Sequence, residues 1–230
     1  MPFDTNHAIS GGRLSPSVAS DRPGPFIFHS LYRDVFKRIF DIALVLISFA
    51  LVLPIIVIMA ALVALDGHSP FYTQLRVGRN GRLFRMIKIR TMVHDAEQLL
   101  QDRLDRDPAL RAEWTATQKL KHDFRITRIG LILRKTSFDE LPQLFNVLTG
   151  SMSLVGPRPM MPSQETLYPG QAYYRMRPGI TGFWQISDRN NCDFRDRAGF
   201  DADYEALMSL ATDLRVLCRT VIVVMRGTGY

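Results

Sequence analysis

The chain has 230 residues, 47% of them hydrophobic and 22% charged, which suffices for one ordinary core and excludes a disordered or collagen-like composition. A net charge of +7 and a pI near 9.7 point to an anionic partner: nucleic acid, an acidic membrane surface or a phosphorylated substrate. Cys192 and Cys218 lie far apart and read as reduced structural residues, and His7, His29, His68, His94 and His122 lack zinc-site spacing, so any metal is a hard cation held by oxygen.

Residues 1–30 mix glycine, proline, serine and charge without periodicity and read as a flexible leader with no assigned function. The apolar run that follows starts too far from the N-terminus for a secretory signal and lacks a small-residue cleavage site, so it is expected to be retained. Residues 31–66 hold the strongest structural signal. From Ile42 to Leu65 only Ser48 and Pro54 fall outside the strongly apolar set, which exceeds the ~20 residues a membrane helix needs. Arg33, Lys37 and Arg38 precede this run, and Arg76, Arg79, Arg82, Arg85, Lys88 and Arg90 follow it. Basic flanks mark the cytoplasmic side, so two of them fit a helix that enters and returns to one face, with Pro54 placed to bend it into two arms. A straight span with a tolerated proline is the alternative, and flank charge alone leaves the two readings even.

Residues 67–230 read as one domain. Asn80-Gly81 between two part-alternating segments predicts a β-hairpin. Over 94–121, Ala96, Leu99, Leu100 and Leu104 recur at helical spacing in a charged background broken at Pro108, as expected of surface helices. Residues 197–226 alternate acidic, apolar and basic character and either lie along a membrane interface or complete the core.

The chemistry concentrates between Arg125 and Pro159. The basic residues are arginine apart from Lys37, Lys88, Lys119, Lys121 and Lys135, and the guanidinium fork matches phosphate oxygens, although a biased genome gives the same excess. Arg125, Arg128 and Arg134 precede the adjacent carboxylates Asp139 and Glu140, a pattern that suggests phosphate chemistry. At a helix start an anionic side chain is favoured and its pKa lowered, and a low-pKa aspartate is a competent nucleophile toward phosphorus. The other reading is a capping box from Ser137 to Glu140. It makes Pro142 the fifth helical residue, unable to donate to Phe138, whereas a start at Asp139 puts Pro142 harmlessly in the first turn. Arg158 is held between Pro157 and Pro159, which reduces the entropy it loses on binding an anion; Arg177 before Pro178 has a weaker version of this. Each lone cation has a plain surface charge as its alternative, and Phe183 and Trp184 either border the site or pack into the core.

Phe36-Lys-Arg-Ile-Phe-Asp41, the proline-containing apolar segment, Lys88-Ile-Arg90-Thr-Met, Arg134-Lys-Thr-Ser-Phe-Asp-Glu-Leu-Pro-Gln, Gly156-Pro-Arg-Pro and Arg177-Pro-Gly-Ile-Thr-Gly-Phe-Trp-Gln occur in that order. Together they resemble the bacterial sugar transferase family of monotopic phosphoglycosyl transferases, over roughly Phe36 to Tyr230. The resemblance implies an α+β, mainly helical fold with a re-entrant helix kinked at Pro54, a small β-hairpin and interfacial amphipathic helices. It implies transfer of a hexose-1-phosphate from a UDP-sugar to polyprenyl (undecaprenyl) phosphate, initiating exopolysaccharide or glycoconjugate synthesis at the cytoplasmic face of the bacterial inner membrane. By position, Asp139 is implied as the nucleophile in a ping-pong reaction that releases UMP, and Glu140 as the residue that holds Mg²⁺. Lys88, Arg90, Arg134, Arg158, Arg177 and Arg189 are the implied substrate-binding cations. Asp188 departs from the small residue expected there and places the role of Arg189 in question. The chain resembles the minimal catalytic form, without the large N-terminal membrane domain of longer members.

The expected partners are thus UDP-sugar, polyprenyl phosphate and membrane lipid; a homo-oligomer is compatible with this, and nucleic acid is not expected beside so long an apolar run. The aromatic Phe183-Trp-Gln stretch suggests glucose or galactose as the sugar. The alternative of a different class is a membrane-anchored, non-catalytic scaffold of polysaccharide assembly that docks on acidic lipids through its arginines.

Overall fold

The computed structural model describes residues 31–117, 120, 122–187 and 193–225. The leader, Arg189 with its neighbour Asp188, and Cys192 lie outside the described residues. After a π-helical turn at Tyr32–Phe36, helix α1 runs Lys37–Ala64 as one element that contains Pro54. At 1.5 Å per residue its 28 residues span about 42 Å, beyond the ~30 Å of a hydrocarbon core. It is long and apolar enough to cross a membrane, and only 11% of its most apolar stretch is buried.

The predicted hairpin forms from β1 (Phe71–Val77) and β2 (Leu83–Ile89), antiparallel, with Phe71 opposite Ile89 and Val77 opposite Leu83. Asn80 and Gly81 take the left-handed conformation, φ 59° and 73°, which the connection requires and these two residue types tolerate. Two surface helices follow, α2 (Ala96–Arg106) and α3 (Pro108–Thr117), with Pro108 at the first helical position, where its missing N–H costs nothing. Leu100 and Leu104 bury the inner face of α2. Then come α4 (Arg128–Thr136), a 3₁₀ turn at Phe138–Glu140, and α5 (Gln143–Thr149). The short strands β3 (Ser153–Val155) and β4 (Gly179–Thr181) pair in parallel, a sheet absent from the sequence expectation, and enclose a 3₁₀ turn at Pro162–Leu167 and α6 (Ala172–Arg175). The chain continues into α7 (Arg197–Leu207) and α8 (Leu210–Met225).

Both ends of α1 pack on this domain. At its start Lys37 Nζ lies 2.6 Å from Asp213 Oδ2, a buried ion pair whose carboxylate also accepts from the hydroxyls of Tyr32 and Tyr204 at 2.7 Å each. One turn on, Asp41 accepts from Ser153 Oγ at 2.6 Å and from Leu154 N at 3.3 Å, and Arg38 donates to the carbonyls of Val147 and Leu148 at the end of α5. At the other end Val63 packs with Ile89 and Leu133. The main core joins Val45 of α1 to Val147, Met152, Val155, Tyr204 and Val216. Outside it, α4 exposes Leu131 and Ile132, and α8 exposes Leu214, Val221 and Ile222, so each of these amphipathic helices keeps an apolar face toward solvent. Cys218 is a free thiol on exposed surface, so it does not have the structural role expected of it.

Candidate active site

The turn that carries the two carboxylates is set by what precedes it. Thr127 caps α4 by accepting from Gly130 N at 2.9 Å, and its own N–H donates to Thr91 O at 3.1 Å, fastening the helix to the chain after β2. A side chain at Gly130 would put its Cβ 1.9 Å from Thr91 O, so only glycine permits this approach. Ser137 ends α4 at φ 58° and makes no capping bond through its side chain, so the capping box is not formed. Nor does a helix start at Asp139: the 3₁₀ turn comes first, and Pro142 is the residue just before α5, where no N–H is needed.

Asp139 is buried and Glu140 half-buried, and both line a cavity of about 1020 Å³ together with Lys88, Arg134, Arg158 and Trp184. Lys88 Nζ stands 2.7 Å from Glu140 Oε1 and 3.6 Å from Asp139 Oδ2, so one ammonium from β2 serves both carboxylates. Asn146 holds β2 at this depth: its Oδ1 accepts from Ile87 N at 3.0 Å and its Nδ2 donates to Arg85 O at 2.8 Å. Burial raises the Asp139 carboxyl above the ordinary range, with Glu140 adding to the rise and Lys88 and Arg134 opposing it. This corrects the lowered pKa expected from a helix start. The three-residue turn supplies no helix dipole of consequence, and desolvation wins.

The remaining candidates divide. Arg134 Nε donates to Thr91 Oγ1 at 2.9 Å, and the side chain lines the cavity near Asp139. Arg158 lies over the Trp184 ring at 5.6 Å, and its segment is fastened by Val77 N to Met160 O at 3.0 Å and Gly179 N to Pro157 O at 2.8 Å. Arg90 lines the cavity, yet its guanidinium is taken up by Asp66, with two contacts of 2.7 Å, and by the carbonyls of Ser69, Met92 and Val63, so it ties the end of α1 to β2. Arg177 lies apart, donating to Gly150 O at 3.1 Å beside a small pocket that Lys37 and Arg79 share. Trp184 borders the cavity, while Phe183 packs on Tyr204 with ring centres 5.3 Å apart. Arg76 and Arg197 also line the cavity and went unassigned in the sequence, where nothing but their charge marks them.

Among the described residues no group of three or more His, Cys, Asp or Glu side chains is arranged to hold a metal. Mg²⁺ does not require one, because it is commonly held by one or two carboxylates together with substrate phosphates and water. The adjacent carboxylates of Asp139 and Glu140, hard oxygen donors on a cavity wall, fit that form.

The chain is similar to known proteins over most of its length. The model of the bacterial sugar transferase family matches residues 32–227. The UDP-galactose-lipid carrier transferase of Erwinia amylovora is 46% identical over 195 residues, 84% of this chain and 41% of the relative. The undecaprenyl-phosphate galactose phosphotransferase of Salmonella typhimurium is 44% identical over 231 aligned positions, 100% of this chain and 46% of the relative. The exopolysaccharide production protein ExoY of Rhizobium meliloti is 41% identical over 196 residues, 84% of this chain and 87% of the relative. The chain therefore spans less than half the length of the first two relatives and most of the third. The extent of the match and the identity of the relatives establish that the chain belongs to the bacterial sugar transferase family.

Proposed function

We propose that the protein transfers a hexose-1-phosphate from a UDP-sugar to polyprenyl phosphate, through a phosphosugar ester on Asp139. The observation that carries this reading is the buried Asp139 beside Glu140, bridged by Lys88, with Arg134 and Arg158 lining the same cavity. In the first step an Asp139 carboxylate oxygen attacks the β-phosphorus, the bond from that phosphorus to the bridging oxygen breaks, and UMP leaves. In the second, an oxygen of polyprenyl phosphate attacks the same phosphorus and the Asp139–phosphorus bond breaks, giving polyprenyl diphosphosugar and the free carboxylate. Lys88, Arg134 and Arg158 supply positive charge to the phosphoryl oxygens, where charge accumulates during each displacement. Glu140 would hold Mg²⁺, which neutralises charge on the diphosphate.

The membrane reading is a monotopic one, with α1 re-entrant about Pro54 and the domain at the cytoplasmic face of the inner membrane. It is supported by the packing of both ends of α1 on the same domain, since a spanning helix carries its far end to the other side of the bilayer. The exposed apolar faces of α4 and α8 suit the interface, and the names of the relatives favour galactose as the hexose.

The test is release of UMP from detergent-solubilised protein given UDP-hexose, Mg²⁺ and polyprenyl phosphate, over a panel of hexoses. The reading requires continuous release only when carrier is present, with at most one UMP per enzyme without it. Absence of UMP across the panel contradicts it.

A further inference from the structure

Arg76 and Arg197 face the cavity under conditions that the fold alone does not explain. Arg76, on β1, donates from Nη1 to Pro159 O at 3.1 Å and from Nη2 to Gln74 Oε1 at 2.6 Å, both neutral acceptors. Arg197, the first residue of α7, lies 4.1 Å from the centre of the Trp184 ring and 4.7 Å from that of Phe194, while Arg158 covers Trp184 at 5.6 Å. Trp184 is thus flanked by two guanidinium groups, with Arg76 close enough to Arg158 for the two charges to repel. The Nε atoms of Arg76 and Arg197 are buried without a hydrogen-bond partner. Among the described residues none of the three arginines forms an ion pair.

Grouping part-buried like charges with no direct ion pair is unfavourable in the free protein, and the more distant carboxylates of Glu140, near Arg76, and Asp201, near Arg197, offset this only in part. Burial, and next the charge of Arg158, lower the proton affinity of Arg76 and Arg197, that of Arg197 to about 10. An arrangement of this kind is relieved by an anion that brings two or more acceptor oxygens, and the stacking on Trp184 and Phe194 fixes the Arg197 fork before the anion arrives.

We infer that Arg76, Arg158 and Arg197 form a three-guanidinium seat for a phosphate ester against Trp184, and that Arg76 and Arg197 are binding residues of the transfer reaction. This assignment rests on the transferase reading for its ligand and on the geometry alone for its charge. Two substrates carry the required chemistry: the diphosphate of the activated sugar and the monophosphate of the lipid carrier.

The experiment is calorimetric titration of the full chain in detergent with inorganic pyrophosphate, for the wild type, Arg76→Gln, Arg197→Gln and the exposed control Arg106→Gln. Each seat variant should weaken binding by about tenfold or more, and the control should match the wild type. Arg76→Lys and Arg197→Lys keep the charge but lose the fork, so they should recover part of the affinity and stand in wherever a glutamine variant fails to fold. In turnover, a raised KM for UDP-hexose alone places the diphosphate in the seat, and a raised KM for polyprenyl phosphate alone places the carrier there. Wild-type protein that does not bind pyrophosphate, or seat variants that bind it within about twofold of wild type, overturns the seat. Arginine-dependent pyrophosphate binding without UMP release from any UDP-hexose leaves the seat standing and removes the transferase reading instead.

Discussion

Lys88 and Glu140 meet across 2.7 Å, an ion pair that joins β2 to the turn after α4 and sets the second carboxylate beside the first. Because Lys88 also lies 3.6 Å from Asp139 and lowers its raised pKa, removing it acts on the nucleophile twice, by withdrawing charge from the phosphoryl oxygens and by favouring the protonated carboxyl. Lys88→Met should reduce UMP release by about a hundredfold or more. An ionised Asp139 is required, so the rate falls as pH drops through its folded pKa, and in the variant that acid limb should move to higher pH. The pH profile of UMP release decides this; an unshifted limb separates Lys88 from Asp139.

The ion pair of Lys37 with Asp213 should behave as a buried one, since the Asp213 side chain is 0% exposed. Lys37→Met strands that carboxylate with only the Tyr32 and Tyr204 hydroxyls and should cost about 3–5 kcal/mol in thermal unfolding. The double variant Lys37→Met/Asp213→Leu should recover most of the loss, because an apolar replacement of both partners leaves no charge unpaired.

Asp201 gives a pH-dependent stability. Its carboxyl is pushed up to about 6 by burial, opposed by the hydrogen bond from Tyr168 and the charge of Arg197. The folded state keeps this proton to higher pH than the unfolded chain, so its contribution is full below about pH 4, is lost as pH rises through about 6, and amounts to at most about 3 kcal/mol. Asp201→Asn, which retains an acceptor for Tyr168, should therefore be more stable than wild type at pH 8, and the gap should close toward pH 4. Parallel denaturation curves across that range contradict the assignment.

The proposed re-entrant topology puts both chain ends on the cytoplasmic side. In protein freed of Cys192 and Cys218, Thr5→Cys and Thr228→Cys should both resist a membrane-impermeant thiol reagent in intact cells and react after lysis. Labelling of the N-terminal site alone makes α1 a span. Pro54→Ala removes the residue that favours a bend and should shift the protein toward that outcome.

Local signals in the sequence translated well. Asn80-Gly81 specified its hairpin, and Pro108 separated α2 from α3, because both depend on backbone preferences of the residues themselves. The pairing of β3 with β4 was not legible, since each strand has three residues and the partners are far apart in sequence. The site was legible in its carboxylates and in Arg134 and Arg158, but not in its electrostatics, because burial of Asp139 is a tertiary property that overrides the local turn. Arg90 and Arg76 show the same limit from opposite sides. Sequence cannot tell that Asp66 occupies the first, or that the second faces the cavity and bonds only neutral acceptors.

The covalent ester on Asp139 is tested by peptide mass spectrometry of protein incubated with UDP-hexose and Mg²⁺ in the absence of polyprenyl phosphate. A hexose-phosphate adduct is expected on the peptide containing Asp139, discharged when carrier is added and missing from Asp139→Asn, a variant that keeps the side-chain shape and should fold normally. Glu140→Gln should be severely impaired, and whatever rate remains should depend less on Mg²⁺. An adduct that maps to another residue, or an Asp139→Asn protein that still turns over, contradicts the mechanism.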